Sequence, residues 1–268
     1  MTHKLDPQLL ERAIRILVVG CGGNGSAVLS GLPYLHQALL AFDHPGGLYV
    51  TAIDPDAVTE TNCVRQPFCR TEIGLPKATV LVHRINSFWG LNWQGMQAEI
   101  QQIARGTEVD VVIGCVDTRK ARRAIDQWVR KSQVSYWLDL GNGASTGQFI
   151  LGQPNNTVNR KKKDRLPTVA ELYPEILAVD DQHDHYSACS AAEALTRQEP
   201  FVNQNLAYQA LGMLTQLLRH GALLYQGGFC NLVSGRVVPL PLRQVSSDDS
   251  VPGKTRQTGV RKAEPAVG

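Results

Sequence analysis

The feature that most constrains this chain is a short apolar run at residues 16–19. It breaks into Gly20-Cys21-Gly22-Gly23-Asn24-Gly25 and then into a helical pattern over residues 26–40. Strand, glycine turn and helix in that order form the opening unit of a doubly wound α/β sheet. Glycines there let backbone N–H groups approach an anion, and the N-terminus of the following helix favours negative charge. Apolar runs at 48–53, 110–115 and 134–140, with a shorter one near 96–100, predict further parallel strands. Helical patterns at 76–85, 119–131 and 201–219 alternate with them. The predicted fold is therefore Rossmann-like and doubly wound, with a mostly parallel sheet covered on both faces.

Around this frame, residues 7–15 read as a short helix with Asp6 as N-cap and Pro7 at its first position. Residues 147–151 read as an antiparallel strand and 227–239 as a closing hairpin with Gly235-Arg236 near its turn. Residues 152–190 are polar, Pro-interrupted and basic, which predicts a long crossover loop. One domain over residues 1–243 follows, with a disordered basic tail over 244–268.

Composition restricts the function classes. Hydrophobic residues make up 43% and charged residues 19%, as in an ordinary soluble enzyme. The net charge of +3 gives no argument for nucleic acid, and within the run Arg160 to Arg165 the stretch Lys161 to Lys163 reads as a solvated loop, or as a contact for an acidic partner surface or nucleic acid. No apolar stretch approaches the roughly 18–20 residues needed to span a bilayer, and residues 1–6 carry no signal-peptide pattern, so the expectation is cytoplasmic. The six cysteines form no C-x-x-C pair, and no zinc site is expected. Cys21 and Cys115, at apolar strand ends, read as packed residues.

The glycine turn and Asp54, a carboxylate at the end of the second strand placed to accept ribose hydroxyls, indicate a nucleotide without choosing between NAD and ATP. The segment that follows makes the choice. It reads Asp54-Pro55-Asp56, then Asn62-Cys63-Val64-Arg65-Gln66, then Gly74-Leu75-Pro76-Lys77, with Asp117 at the end of a later strand. Arg65 can fork onto phosphate oxygens, Lys77 acts as a point charge, and Asn62 can orient a phosphate or a leaving oxygen. Asp117 can hold Mg2+ through oxygen. Two cations and a metal suit the charge that builds as pyrophosphate leaves.

These motifs, in this order over residues 16–150, resemble the ThiF/MoeB-like, ubiquitin-activating superfamily. The resemblance implies ATP and Mg2+ as cofactors and adenylation of a C-terminal glycine carboxylate on a small ubiquitin-like partner. It places Gly20, Gly22, Gly23 and Gly25 at the phosphates and Asp54 at the ribose. Asn62, Arg65, Gln66 and Lys77 would bind the nucleotide, and Asp117 the metal. A homodimer through the sheet and the 201–219 helix is implied as well.

Four further stretches are similar to the ThiF-like proteins of PRTRC gene systems. They are Ala41-Phe42-Asp43-His44-Pro45-Gly46-Gly47-Leu48, Asn86 with Phe88-Trp89-Gly90-Leu91-Asn92-Trp93, Cys189 to Leu195, and Gln198-Glu199-Pro200-Phe201-Val202-Asn203. Trp89 and Trp93 read as core or interface anchors.

Many relatives lend an N-terminal arginine to the neighbouring protomer's ATP site; Arg12 and Arg15 are the nearest counterparts here. Some relatives transfer the activated partner to a cysteine in the crossover loop, a position that Cys189 matches, with His183 and His185 nearby. A thiolate there would be a nucleophile, and packing at a helix start is its competing reading. Two other functions stay open on sequence: an NAD-dependent oxidoreductase, and a catalytically silent module that uses the fold as a scaffold.

Overall fold

A computed structural model describes residues 2–178 and 198–243. Strand β1 (His3–Lys4) is short, and a 3-10 turn over Pro7–Leu10 follows it. The elements then run β2 (Ile14–Val19), α1 (Gly23–Ala41), β3 (Leu48–Ile53), α2 (Asn62–Arg65), α3 (Lys77–Trp89), β4 (Gln94–Met96) and β5 (Val111–Gly114). After them come α4 (Arg119–Lys131), β6 (Tyr136–Asn142), β7 (Thr146–Gly152), α5 (Val169–Leu172) and α6 (Val202–His220). The chain closes with β8 (Ala222–Leu223), β9 (Tyr225–Asn231) and β10 (Arg236–Pro241).

Eight strands form one sheet in the order β10-β9-β7-β6-β5-β2-β3-β4. Strands β6, β5, β2, β3 and β4 pair in parallel, and β7, β9 and β10 join antiparallel. Alternation along β2 sorts its side chains. Ile14, Ile16 and Val18 pack on one face with Leu29, Leu32 and Leu214 from α1 and α6. Leu17 and Val19 pack on the other with Ile125, Trp128 and Val129 of α4. Chain order reverses beside β2, with β3 on one side and β5 on the other, so a crevice opens at the carboxyl ends of these strands.

Several sequence expectations shift. The helix expected over 7–15 stops at Leu10, and β2 begins at Ile14 because Ile14 is fully buried and pairs with Leu48. Asp6 does cap the turn, accepting from the Gln8 amide at 3.2 Å. The strand expected near 96–100 ends at Met96, and Ile100–Gln102 forms a 3-10 turn. The hairpin and the antiparallel strand form where expected.

The largest difference lies after β7. Arg160, Lys161 and Lys163 are exposed as expected, but Gln153, Asn156, Asn159 and Arg165 to Ala170 are buried. Asn156 and Asn159 are buried because their side-chain amides donate to the carbonyls of Val129, Val134 and Ser135 at 2.8–3.1 Å. Polar side chains here satisfy buried backbone, so polarity misreports exposure. Arg165, the last residue of the basic run, is also buried and forks onto Glu171 at 2.7 and 2.9 Å. Trp93 is a core residue donating to the Leu48 carbonyl at 3.2 Å, whereas Trp89 is half-buried between Tyr34 and Phe88.

Candidate active site

The turn between β2 and α1 is built by two glycines with different tasks. Gly20 has φ +91°, and a Cβ on it would lie 2.8 Å from the Cys115 carbonyl oxygen. Gly25 sits where a Cβ would lie 1.8 Å from the Gly20 carbonyl oxygen. That contact is what lets α1 start directly against the strand, so Gly25 serves close packing and does not line the cavity itself. Gly20, Gly22, Gly23 and Asn24 do. Cys21 and Cys115 are buried beneath, and burial pushes both thiols far up, which leaves them inert.

Asp54 ties the turn to β3. Its Oδ2 accepts from the Cys21 amide at 2.5 Å and its Oδ1 from the Asp56 amide at 2.8 Å. Burial pushes this carboxyl up, while the two amides and Lys77 pull it back. Each oxygen retains a lone pair for a further donor. Lys77 opens α3, where its charge faces the positive end of the helix dipole. It is nevertheless buried, with Nζ 2.9 Å from Asp56 Oδ2. An anion arriving there meets the ammonium and the helix N-terminus together.

Arg65 ends α2, and its Nη1 donates to Gln198 Oε1 at 2.7 Å. Its Nε is buried with no hydrogen-bond partner among the described residues, as is Gln66 Oε1. Asn62 spends its oxygen on Thr59, accepting from that residue's amide and hydroxyl at 2.9 Å each, so its amide nitrogen is the end left to meet an oxygen ligand. Asp117 follows β5, is exposed, and takes no hydrogen bond or ion pair among the described residues.

All of these side chains line one cleft of about 1050 Å3 at the carboxyl ends of the parallel strands. Ile53, Ala98, Ile100, Val116, Ala124 and Ile176 supply the apolar part of its lining, interspersed with Glu99, Gln101, Lys120 and Arg122. No group of three or more His, Cys, Asp or Glu side chains is placed to hold a metal among the described residues. Mg2+ commonly uses one or two carboxylates plus phosphates and water, so Asp117 alone is an adequate protein ligand. Cys189, His183 and His185 lie outside the described residues.

Arg12 and Arg15 are engaged within the chain. Arg12 forks onto Asp110 at 2.7 and 2.8 Å, and Arg15 pairs with Glu108, at the amino edge of the sheet and away from the cleft. Sequence reading missed Asn24, Gln198 and Asn203, which line the glycine-turn end, and Arg122 in the cleft wall. A signal for Arg122 was present: Asp139 stands inside the apolar run of β6, and a carboxylate in such a strand requires a cationic partner.

Fold and cleft together define a doubly wound α/β protein with a polar cleft beside a glycine turn. The ThiF family profile matches residues 4–220, and the chain belongs to the ThiF family. Among solved structures, Escherichia coli MccB is similar with a TM-score of 0.59 at 16% identity, covering 97% of this chain and 69% of that one. MccB solved with ATP matches with a TM-score of 0.57 at 17% identity, over 92% of this chain and 68% of that one. PaaA matches with a TM-score of 0.57 at 12% identity, over 86% of this chain and 64% of that one. The chain thus spans about two thirds of the length of these structures, and at such identities the likeness shows the fold. No curated protein matches the sequence significantly. No helix among the described residues is long and apolar enough to cross a membrane.

Proposed function

We propose that the chain is an ATP-dependent adenylyltransferase that activates the C-terminal carboxylate of a small ubiquitin-like protein. The observation that carries this reading is the convergence of Asp54, Asn62, Arg65, Gln66, Lys77 and Asp117 with the glycine turn in one cleft. Apolar side chains for a base, a carboxylate for ribose, and two cations with an oxygen ligand suit the parts of a nucleoside triphosphate. MccB has been solved with ATP and with MccA, which supports a nucleotide and a polypeptide substrate on this fold.

In the proposed reaction a carboxylate oxygen of the partner attacks the α-phosphorus. A carboxyl–phosphorus bond forms, the α–β phosphoanhydride breaks, and pyrophosphate leaves with the electron pair. No general base is required, because the carboxylate is already ionised at neutral pH. Asp54 holds the ribose, while Arg65 and Lys77 neutralise the charge that grows on the leaving oxygen. Lys77 would exchange Asp56 for phosphate, and Arg65 would present the Nε that has no partner among the described residues. Mg2+ at Asp117 would supply further neutralisation of the phosphates. Positioning and electrostatics account for the rate.

Attack of the Cys189 thiolate on the acyl adenylate, forming a thioester as AMP leaves, and assembly as a homodimer belong to the same proposal. Exposed Tyr34 on α1 and Tyr208 on α6 support an interface on that helical layer.

The test is pyrophosphate exchange into ATP by the full chain, with Mg2+ and a ubiquitin-like protein ending in a free glycine carboxylate. Mass spectrometry of both proteins accompanies it. Partner-dependent exchange and an adenylated C-terminus are expected, and a bond to Cys189 would report the later transfer. Absence of exchange combined with NADH fluorescence transfer would replace this reading with a dehydrogenase.

A further inference from the structure

An ion pair in the cleft wall has no role in the nucleotide reading above. Arg122, in the first turn of α4, and Asp139, in the middle of β6, have side chains only 7% and 0% exposed. Arg122 Nε donates to Asp139 Oδ1 at 2.9 Å. The same guanidinium donates through Nη2 to the carbonyl of Val116 at 3.0 Å. A buried pair of this kind adds little stability over apolar packing, because desolvation offsets the attraction. Its cost here is underlined by Asp139 Oδ2 and Trp137 Nε1, both buried without a hydrogen-bond partner among the described residues. Gly114 keeps that space open, since a Cβ on it would lie 3.0 Å from Trp137 Nε1 and 3.3 Å from Asp139 Oδ1.

What the pair does hold is the connection between β5 and α4. Val116 is gripped through its carbonyl by Arg122. Thr118 is fixed as the N-cap of α4, its hydroxyl accepting from the Ala121 amide at 3.1 Å. Its carbonyl accepts from the Arg122 amide at 3.1 Å. Between these two anchored residues sits Asp117, whose own side chain takes no protein partner among the described residues.

We propose that Arg122, braced by Asp139, is a positioning residue that aims the Asp117 carboxylate at nucleotide-bound magnesium. The guanidinium is suited to this task because one planar group reaches a carboxylate and a carbonyl in different directions. A lysine ammonium has the charge but not the fork. This inference rests on the nucleotide reading above and on Asp117 as the metal-facing group.

The experiment measures ATP affinity of the full chain by calorimetry, once with excess EDTA and once with Mg2+. Wild type, Arg122→Lys, Asp139→Asn, Asp117→Ala and the double variant Asp117→Ala/Arg122→Lys are compared, with thermal melting to confirm folding. Loss of an outer partner commonly weakens metal affinity about 10–100-fold. The affinity gain that Mg2+ confers should therefore shrink by about 10-fold in Arg122→Lys and Asp139→Asn, with affinity in EDTA unchanged. In the Asp117→Ala background, Arg122→Lys should change nothing further. Equal losses with and without Mg2+ would overturn the proposal by making Arg122 a direct phosphate ligand or a purely structural one. An unchanged Mg2+ gain would overturn it too. Should Arg122→Lys fail to fold, Asp139→Asn carries the same comparison. Wild type that binds no ATP refutes the nucleotide reading itself, which separates the two failures.

Discussion

Substituting Gly25 by alanine puts the glycine-turn architecture to a stringent test. A Cβ built at this position lies 1.8 Å from the Gly20 carbonyl oxygen and 2.8 Å from its carbon. An unstrained carbon–oxygen contact is about 3.3 Å or longer, so α1 must retreat from β2 by roughly 1.5 Å. Neither party is a flexible side-chain end. Gly20 is held by its amide on the Ile53 carbonyl at 2.9 Å, and the adjacent Cys21 amide is held by Asp54. The clash therefore propagates into the turn and into the carboxylate proposed to hold ribose. Overpacking of this kind costs about 1–3 kcal/mol. For a domain of this size each kcal/mol lowers the melting temperature by roughly 2–4 °C, giving a drop of about 2–12 °C. Differential scanning calorimetry and ATP titration of the same preparations are the assay, and ATP affinity should fall with the melting temperature. Gly106→Ala is the control, because a Cβ there meets nothing within 4 Å, and its effect should stay within about 0.5 kcal/mol. A Gly25→Ala protein that melts and binds ATP like wild type would refute the close approach of α1 to β2 described above.

Other outcomes follow from single contacts. Gly212 is exposed inside α6, and a Cβ added there would meet nothing within 4 Å, so Gly212→Ala should stabilise the fold by about 0.5–1 kcal/mol, read from urea melts. Lys77→Ala should lower partner-dependent pyrophosphate exchange by about 100-fold or more while leaving stability nearly unchanged, because Asp56 is exposed enough to hydrate; an unaltered exchange rate would remove Lys77 from the mechanism. Burial alone would push Glu171 up, but the Arg165 fork and the Thr168 amide and hydroxyl together hold it below the usual carboxylate range. A carboxyl lowered in the folded state contributes stability above its unfolded pKa and loses it as pH falls through the folded value. Glu171→Gln should therefore be less stable than wild type at neutral pH, with the gap closing in acid; a gap that stays constant from neutral pH into acid in urea melts would contradict this.

The parallel half of the sheet was legible because its strands are buried on both faces and read as continuous apolar runs. Asp54 and Asp117 marked their carboxyl ends, and the structure lines one cleft with both. Boundaries moved where propensity and pairing competed: the pairing of Ile14 with Leu48 draws residues 14 and 15 into β2 at the expense of the expected helix. Three polar positions within residues 153–172 were opaque for a different reason. Asn156, Asn159 and Arg165 are polar letters with buried positions, and only the carbonyls and carboxylate they meet reveal it. Those partners lie 6 to 27 positions away in the chain. Gln198 and Arg122 were missed in the same way, because their importance comes from contacts with Arg65, Val116 and Asp139 rather than from any local pattern.

Crystals grown with Mg2+ and a non-hydrolysable ATP analogue examine the central claim most directly. Ribose density against Asp54, phosphates against Arg65 and Lys77, and a cation on Asp117 are the arrangement expected here. A triphosphate lodged elsewhere in the cleft, or those four side chains turned from it, would contradict the account.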